Sequence, residues 1–65
     1  MLIAQNPAYR LTFEDAVAIW LRHWAGDYQH RIAADYGVNS GRVNDVLKER
    51  LHVRSRQAAL LLRSA

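Results

Sequence analysis

Gly26 and Gly37 stand eleven residues apart in a chain with one further glycine, Gly41, and one proline, and each marks the end of a helix. At either glycine the backbone can turn left-handed without a side-chain clash and end a helix. The segments they separate carry helical spacing rather than alternation. Phe13, Val17, Trp20 and Trp24 recur at intervals of three and four with Ala16 beside them, which predicts a helix beginning after Thr12. Thr12 suits an N-cap, Glu14 and Asp15 suit the positive end of the helix dipole, and Gly26 ends the element. A second short helix starts at Asp27 or Tyr28, turns Ile32, Ala33 and Tyr36 inward, and stops at Gly37. Val38 is an apolar turn residue, and Asn39 caps a third helix with Val43, Val46 and Leu47 inside. Ser40, Gly41, Asn44, Asp45 and Lys48 form its polar outer face, with Arg42 at the shoulder.

Beyond Glu49-Arg50, the residues Leu51-His52-Val53-Arg54 read as an extended connection, and Ser55 reads as the N-cap of a last helix through about Arg63. The expected fold class is therefore all-α: a compact helical domain of four or so helices. Residues 1–10, which include the turn signal Asn6-Pro7, read as an N-terminal arm, and residues 11–65 as a single domain. The tryptophan stripe could in principle stack on bases, but at this spacing aromatic bulk belongs to a core.

With 65 residues a single core buries only about 60% of the surface exposed on unfolding, so some reinforcement is expected. Cysteine is absent, which removes disulfides and thiolate metal sites and suits a reducing, cytoplasmic setting. Self-association is the remaining route. Leu60, Leu61 and Leu62 cannot all face one stripe of a short helix, and together with Leu2 and Ile3 they are the dimerisation candidates, with fraying of the chain end as the alternative reading of the leucines. The longest uncharged run in the body of the chain, Ala16 to Leu21, is far short of the roughly 20 residues a membrane span needs. Met1 to Gln5 lacks the basic flank and apolar length of a signal peptide, so neither membrane insertion nor export is expected.

The formal charge of +3 is unevenly placed: residues 1–39 carry −1 and residues 40–65 carry +4. A basic C-terminal part raises the expectation of a polyanionic partner. Catalysis has little support. His23, His30 and His52 are seven and twenty-two residues apart, without the i, i+4 pair of a zinc helix. Neither a Gly-rich phosphate loop nor a nucleophile elbow is present, and a chain of this size leaves no space for a substrate pocket beside its core. No enzyme activity, metal, cofactor or small-molecule ligand is expected.

The stretch from Gln29 to Lys48 sharpens the expectation. A small residue, Ala33, sits in the middle of one helix; Gly37 follows four residues later in the turn; Val38, Val43 and Val46 occupy the buried positions beyond, with Ile32 and Tyr36 also in place. This pattern resembles the helix-turn-helix of prokaryotic DNA-binding regulators, over about residues 28–50, with Thr12 to Ala25 as the preceding support helix. It looks most like compact phage, plasmid or resolvase-type repressor domains; small anti-CRISPR-associated repressors are one such group of similar size. One departure lies after Lys48, where a glycine often follows the second helix and this chain has Glu49-Arg50-Leu51.

The resemblance implies a homodimeric transcriptional repressor on an inverted repeat of double-stranded DNA, with residues 39–49 as the recognition helix in the major groove. Its base-edge candidates are Asn39, Ser40, Gly41, Arg42, Asn44, Asp45 and Lys48. Arg42 suits guanine, Asn44 adenine and Asp45 cytosine, although Asp45 also stands three residues from Arg42 at ion-pair spacing. Gln29 and His30 at the start of the first motif helix, with Arg50, Arg54 and Arg56, are the phosphate candidates, and His52 can join them. Two rival readings are a protein-interaction module of phage-inhibitor type built on the same helices, and a nucleic-acid module from a larger recombinase or toxin–antitoxin system.

Overall fold

The computed structural model describes residues 9–65, and its four regular elements are all helices: α1 (Phe13–Trp24), α2 (Gln29–Tyr36), α3 (Ser40–Leu47) and α4 (Ser55–Ser64). Leu2 and Ile3 lie outside the described residues. None of the described helices is long and apolar enough to cross a membrane.

α1 begins at a reciprocal cap. The Thr12 hydroxyl accepts from the Asp15 amide at 3.0 Å, and the Asp15 carboxylate accepts from the Thr12 amide at 3.0 Å. The Tyr9 hydroxyl donates to the same carboxylate. Burial alone would push the Asp15 carboxyl up, but the bonds from Thr12 and Tyr9 outweigh it and hold it below its ordinary value. A carboxyl depressed in the folded state contributes stability that is present above its unfolded value of about 3.9 and is lost as pH falls through the folded one. The melting temperature is therefore expected to fall as pH drops below about 4. Thr12→Ala should cost about 1 kcal/mol at pH 7. Asp15→Asn should flatten the acid limb, which thermal scans between pH 2.5 and 7 would show.

α1 is the central helix, touching α2, α3 and α4. For that reason more than one stripe of it is buried. Ala16, Val17, Ile19 and Trp20 are in the core, and Ile19 is a core residue that the spacing of the aromatic stripe does not reveal. Phe13 and Trp24, at the two ends of that stripe, are less enclosed. Phe13 is 39% exposed because it opens the helix, with no preceding turn to pack on, and its ring edge rests on His52. Leu11, Ile32, Ala33, Val38, Val43, Val46 and Ala59 complete the core.

The same hydrogen-bond pattern ends three helices in succession. After α1, the Gly26 amide bonds to the His23 carbonyl and the Asp27 amide to Arg22. After α2, the amides of Gly37 and Val38 bond to Ala34 and Ala33. After α3, those of Glu49 and Arg50 bond to Val46 and Asp45. Each set is a Schellman motif, and each puts one residue in the left-handed region: Gly26 at φ 100°, Gly37 at φ 68° and Glu49 at φ 60°. The missing glycine after α3 thus leaves the turn unchanged and shifts its cost onto Glu49. Glu49→Gly is expected to stabilise the protein by about 0.5–1 kcal/mol, raising the melting temperature by several degrees. His52, also left-handed at φ 51°, should not behave alike. Its ring nitrogen Nε2 lies 2.8 Å from the Leu11 carbonyl, so glycine there removes a bond as well as a strain.

The connection from Leu51 to Arg54 is turned rather than extended, because Glu49 and His52 both reverse the backbone. Ser55 is likewise not the N-cap of α4. Arg54 occupies that position without a side-chain cap, while Ser55 is a buried first-turn residue whose hydroxyl accepts from the Trp20 indole N–H at 3.1 Å. The contacts Phe13–His52, Trp20–Arg56 and Trp24–Arg63 hold α4 and the turn before it against α1. α4 rests chiefly on α1, so its buried stripe is narrow, and Leu60, Leu61 and Leu62 are all exposed. An open apolar groove of about 440 Å³ runs between the helices, lined chiefly by Phe13, Val17, Ala18, Leu21, Ala58 and Leu62.

Candidate nucleic-acid interface

The α2–α3 pair presents two helix starts at one end. Among the described residues no side chain caps α2; the Arg31 amide bonds to the Tyr28 carbonyl at 3.1 Å, and the amides of Gln29 and His30 are the ones an outside acceptor would meet. The Gln29 side-chain amide donates to the Ser40 carbonyl at 3.3 Å and so ties the first turn of α2 to the first turn of α3. Ala33, almost wholly enclosed, and Val38, Val43 and Val46 fill the space behind.

The polar face of α3 is divided in its duties. Asn39 caps the helix, its Oδ1 accepting from the Gly41 amide at 2.7 Å. A Cβ at position 41 would sit 3.1 Å from that oxygen, a tight contact that the Asn39 side chain would have to relieve by a small shift. Ser40, Gly41, Arg42 and Lys48 are exposed, whereas Asn44 and Asp45 are half-buried. The regular helix spans Ser40–Leu47, with Asn39 and Lys48 as its flanking caps, so it is slightly shorter than the 39–49 expected from sequence.

Asp45 is engaged twice: its Oδ2 lies 3.1 Å from Arg42 Nη2 and its Oδ1 lies 3.5 Å from Arg50 Nη1. Asp45 thereby brings the candidate base reader and one of the phosphate candidates to a single carboxylate.

His30 lies parallel to Tyr28, ring centroids 5.8 Å apart and planes 9° off parallel, at the open start of α2. Tyr28 is largely exposed and stands beside Gln29, yet its sequence context marked it only as a helix start. An exposed large aromatic next to a donor-rich helix end is the one signal that could have singled it out.

Arg56 and Arg63 are not gathered here, whereas Arg31 is exposed on α2. Arg56 lies over the Trp20 ring at 5.9 Å and Arg63 over Trp24 at 5.0 Å, so these two work in the α1–α4 packing. Arg54 is the cap residue of α4. The three histidines are separately placed, His23 against Trp20, His30 on Tyr28 and His52 against Phe13 and the Leu11 carbonyl.

Several acidic groups of the N-terminal half are neutralised locally. Arg22 pairs with Asp27 and with Asp35, each at 2.7 Å, and these bonds raise its already high pKa. Asp15 is held in the cap. With those charges paired among themselves, the charged groups near α3 and its exit are Arg42, Lys48 and Arg50 against the exposed Glu49 and against Asp45, which pairs with two of the three cations. Such a surface, with free helix amides beside it, is chemically suited to an anionic backbone flanking hydrogen-bonding groups. No family model matches the chain, and neither the curated proteins nor the solved structures provide a match.

Proposed function

We propose that this protein is a sequence-specific double-stranded DNA-binding protein, a dimeric transcriptional repressor using α2 and α3 as a helix-turn-helix on an inverted-repeat operator. It acts without catalysis or cofactor, in the cytoplasm, on the DNA of a phage or another mobile element. The observation that carries the reading is the Gln29–Ser40 bond, which sets the uncapped start of α2 beside the exposed start of α3. A helix presented end-on in this way fits a major groove, its first turns meeting base edges while the neighbouring helix start meets a phosphate. Ser40, Arg42, Asn44 and Lys48 are then the base-edge residues, with Gln29, His30 and Tyr28 on the backbone.

One eight-residue helix meets only a few base pairs, so two copies are needed for useful affinity and specificity. The exposed leucines of α4, with Leu61 at 69% and Leu62 at 61%, and the apolar groove beside Phe13 support pairing through the α1–α4 side. Replacing Leu61 and Leu62 together by glutamate should give monomers in sedimentation and weaken binding to a two-half-site duplex by tenfold or more. Unchanged dimers would remove α4 from the interface.

The function itself is tested by enriching the purified protein against a random duplex pool. Recovery of a short inverted repeat is the expected outcome. Recovery of no motif would favour the protein-interaction reading, for which the apolar groove offers a surface.

A further inference from the structure

We propose that Asp45 is the specificity-determining positioning residue of this interface: it holds Arg42 and Arg50 as one fixed pair of cations, the first for a guanine edge and the second for a neighbouring backbone phosphate. The inference rests on the DNA-binding reading above.

Three attachments converge on this residue. Its two carboxylate oxygens take one guanidinium each, Arg42 at 3.1 Å and Arg50 at 3.5 Å. Its backbone carbonyl accepts from the amides of Arg50 at 2.8 Å and Leu51 at 3.3 Å, so it also anchors the turn by which the chain leaves α3. The carboxylate is recessed, with its side chain 23% exposed, while the side chains of Arg42 and Arg50 are 61% and 66% exposed and project beyond it. An arginine carries five N–H donors, and the contact to Asp45 involves one terminal nitrogen of each guanidinium, so most donors of both are not used by Asp45 and can serve a base edge or a phosphate oxygen.

Helix stability does not account for an acid at this position. Asp45 stands in the last turn of α3, where the helix dipole disfavours negative charge, and pairs this exposed contribute little to stability. Its effect is on geometry and selection. Anchored arginines lose less freedom when they meet a matching site, and a fixed negative charge between them repels a phosphate that arrives in the wrong register.

The test compares wild type, Asp45→Asn and Asp45→Glu on the enriched duplex and on a scrambled duplex, by fluorescence polarisation at two salt concentrations. Asp45→Asn should bind the scrambled duplex several-fold more tightly and the enriched duplex more weakly, so that the ratio of the two falls at least tenfold. Asp45→Glu, which keeps the charge, should recover part of that ratio. In the free protein, the Nε–Hε relaxation of Arg42 and Arg50 should show ordered guanidinium groups in wild type and mobile ones in Asp45→Asn, a readout that needs no DNA. If Asp45→Asn tightens both duplexes equally and leaves the ratio unchanged, Asp45 is only a repulsive charge and the inference is overturned. If wild type itself shows no preference between duplexes, the DNA-binding reading fails, and the inference with it.

Discussion

Trp20→Ala should leave the protein largely unfolded at 25 °C. The indole is 6% exposed, packs on Trp24 with ring centroids 5.4 Å apart, lies under Arg56, and gives its N–H to the buried Ser55 hydroxyl at 3.1 Å. Deleting a buried tryptophan side chain costs about 3–5 kcal/mol, and leaving a buried hydroxyl without its partner adds about 1–3 kcal/mol. A domain of this size has a total stability of about 3–10 kcal/mol, so the loss is of the same order as the whole. Trp20→Phe removes the N–H and part of the ring's bulk together, and should destabilise less than alanine while remaining folded. Urea titrations followed by far-ultraviolet circular dichroism measure both; an alanine variant as stable as wild type would show that α4 is not held to α1 through this residue.

The second large effect concerns binding. Arg42→Ala should remove about 1–3 kcal/mol of discrimination at one base position, roughly 5- to 150-fold, while affinity for scrambled duplex changes much less. Arg42→Lys should not restore it, because an ammonium lacks the planar fork that matches a guanine edge. Arg50→Ala serves as the contrast: a phosphate contact weakens all duplexes alike and lowers the salt dependence. A uniform loss in Arg42→Ala would assign that side chain to the backbone rather than to a base.

What the sequence showed and what it concealed follow from the range of the forces involved. Local signals were legible: Thr12, Asn39, Gly26 and Gly37 each act through their own backbone or a residue two or three positions away, and all four stand where their chemistry placed them. Ala33, Val38, Val43 and Val46 were legible as an inward set because their spacing matches a helix, a turn and a helix. Concealment came with distance. Ser55 looks like a cap until the indole of Trp20, remote in sequence, claims its hydroxyl. Arg56 and Arg63 look like part of a basic tail until tryptophans of α1 lie under them. Ile19 falls outside the aromatic stripe, and only the packing of three helices around α1 explains its burial.

Glu49 was hidden for a different reason. A left-handed residue that is neither glycine nor asparagine leaves no sequence signal, and the turn is enforced by the bonds from Glu49 and Arg50 back to α3. The extended connection expected from Leu51 to Arg54 fails on the same point, since two left-handed residues fold it back. At the candidate interface, the residue types were readable but their pairing was not. The double engagement of Asp45 and the stacking of His30 on Tyr28 are properties of side-chain placement.

The central claim, that α2 and α3 form a DNA-reading surface, is tested most directly by a polarisation titration of the protein against its enriched duplex and a scrambled one at 50 and 200 mM salt, on the order of the range in which counterion release is readily seen. The expected result is a preference of at least about 100-fold for the enriched duplex, together with affinities for both duplexes that fall steeply as salt rises. Equal affinity for the two duplexes, or binding indifferent to salt, would contradict it.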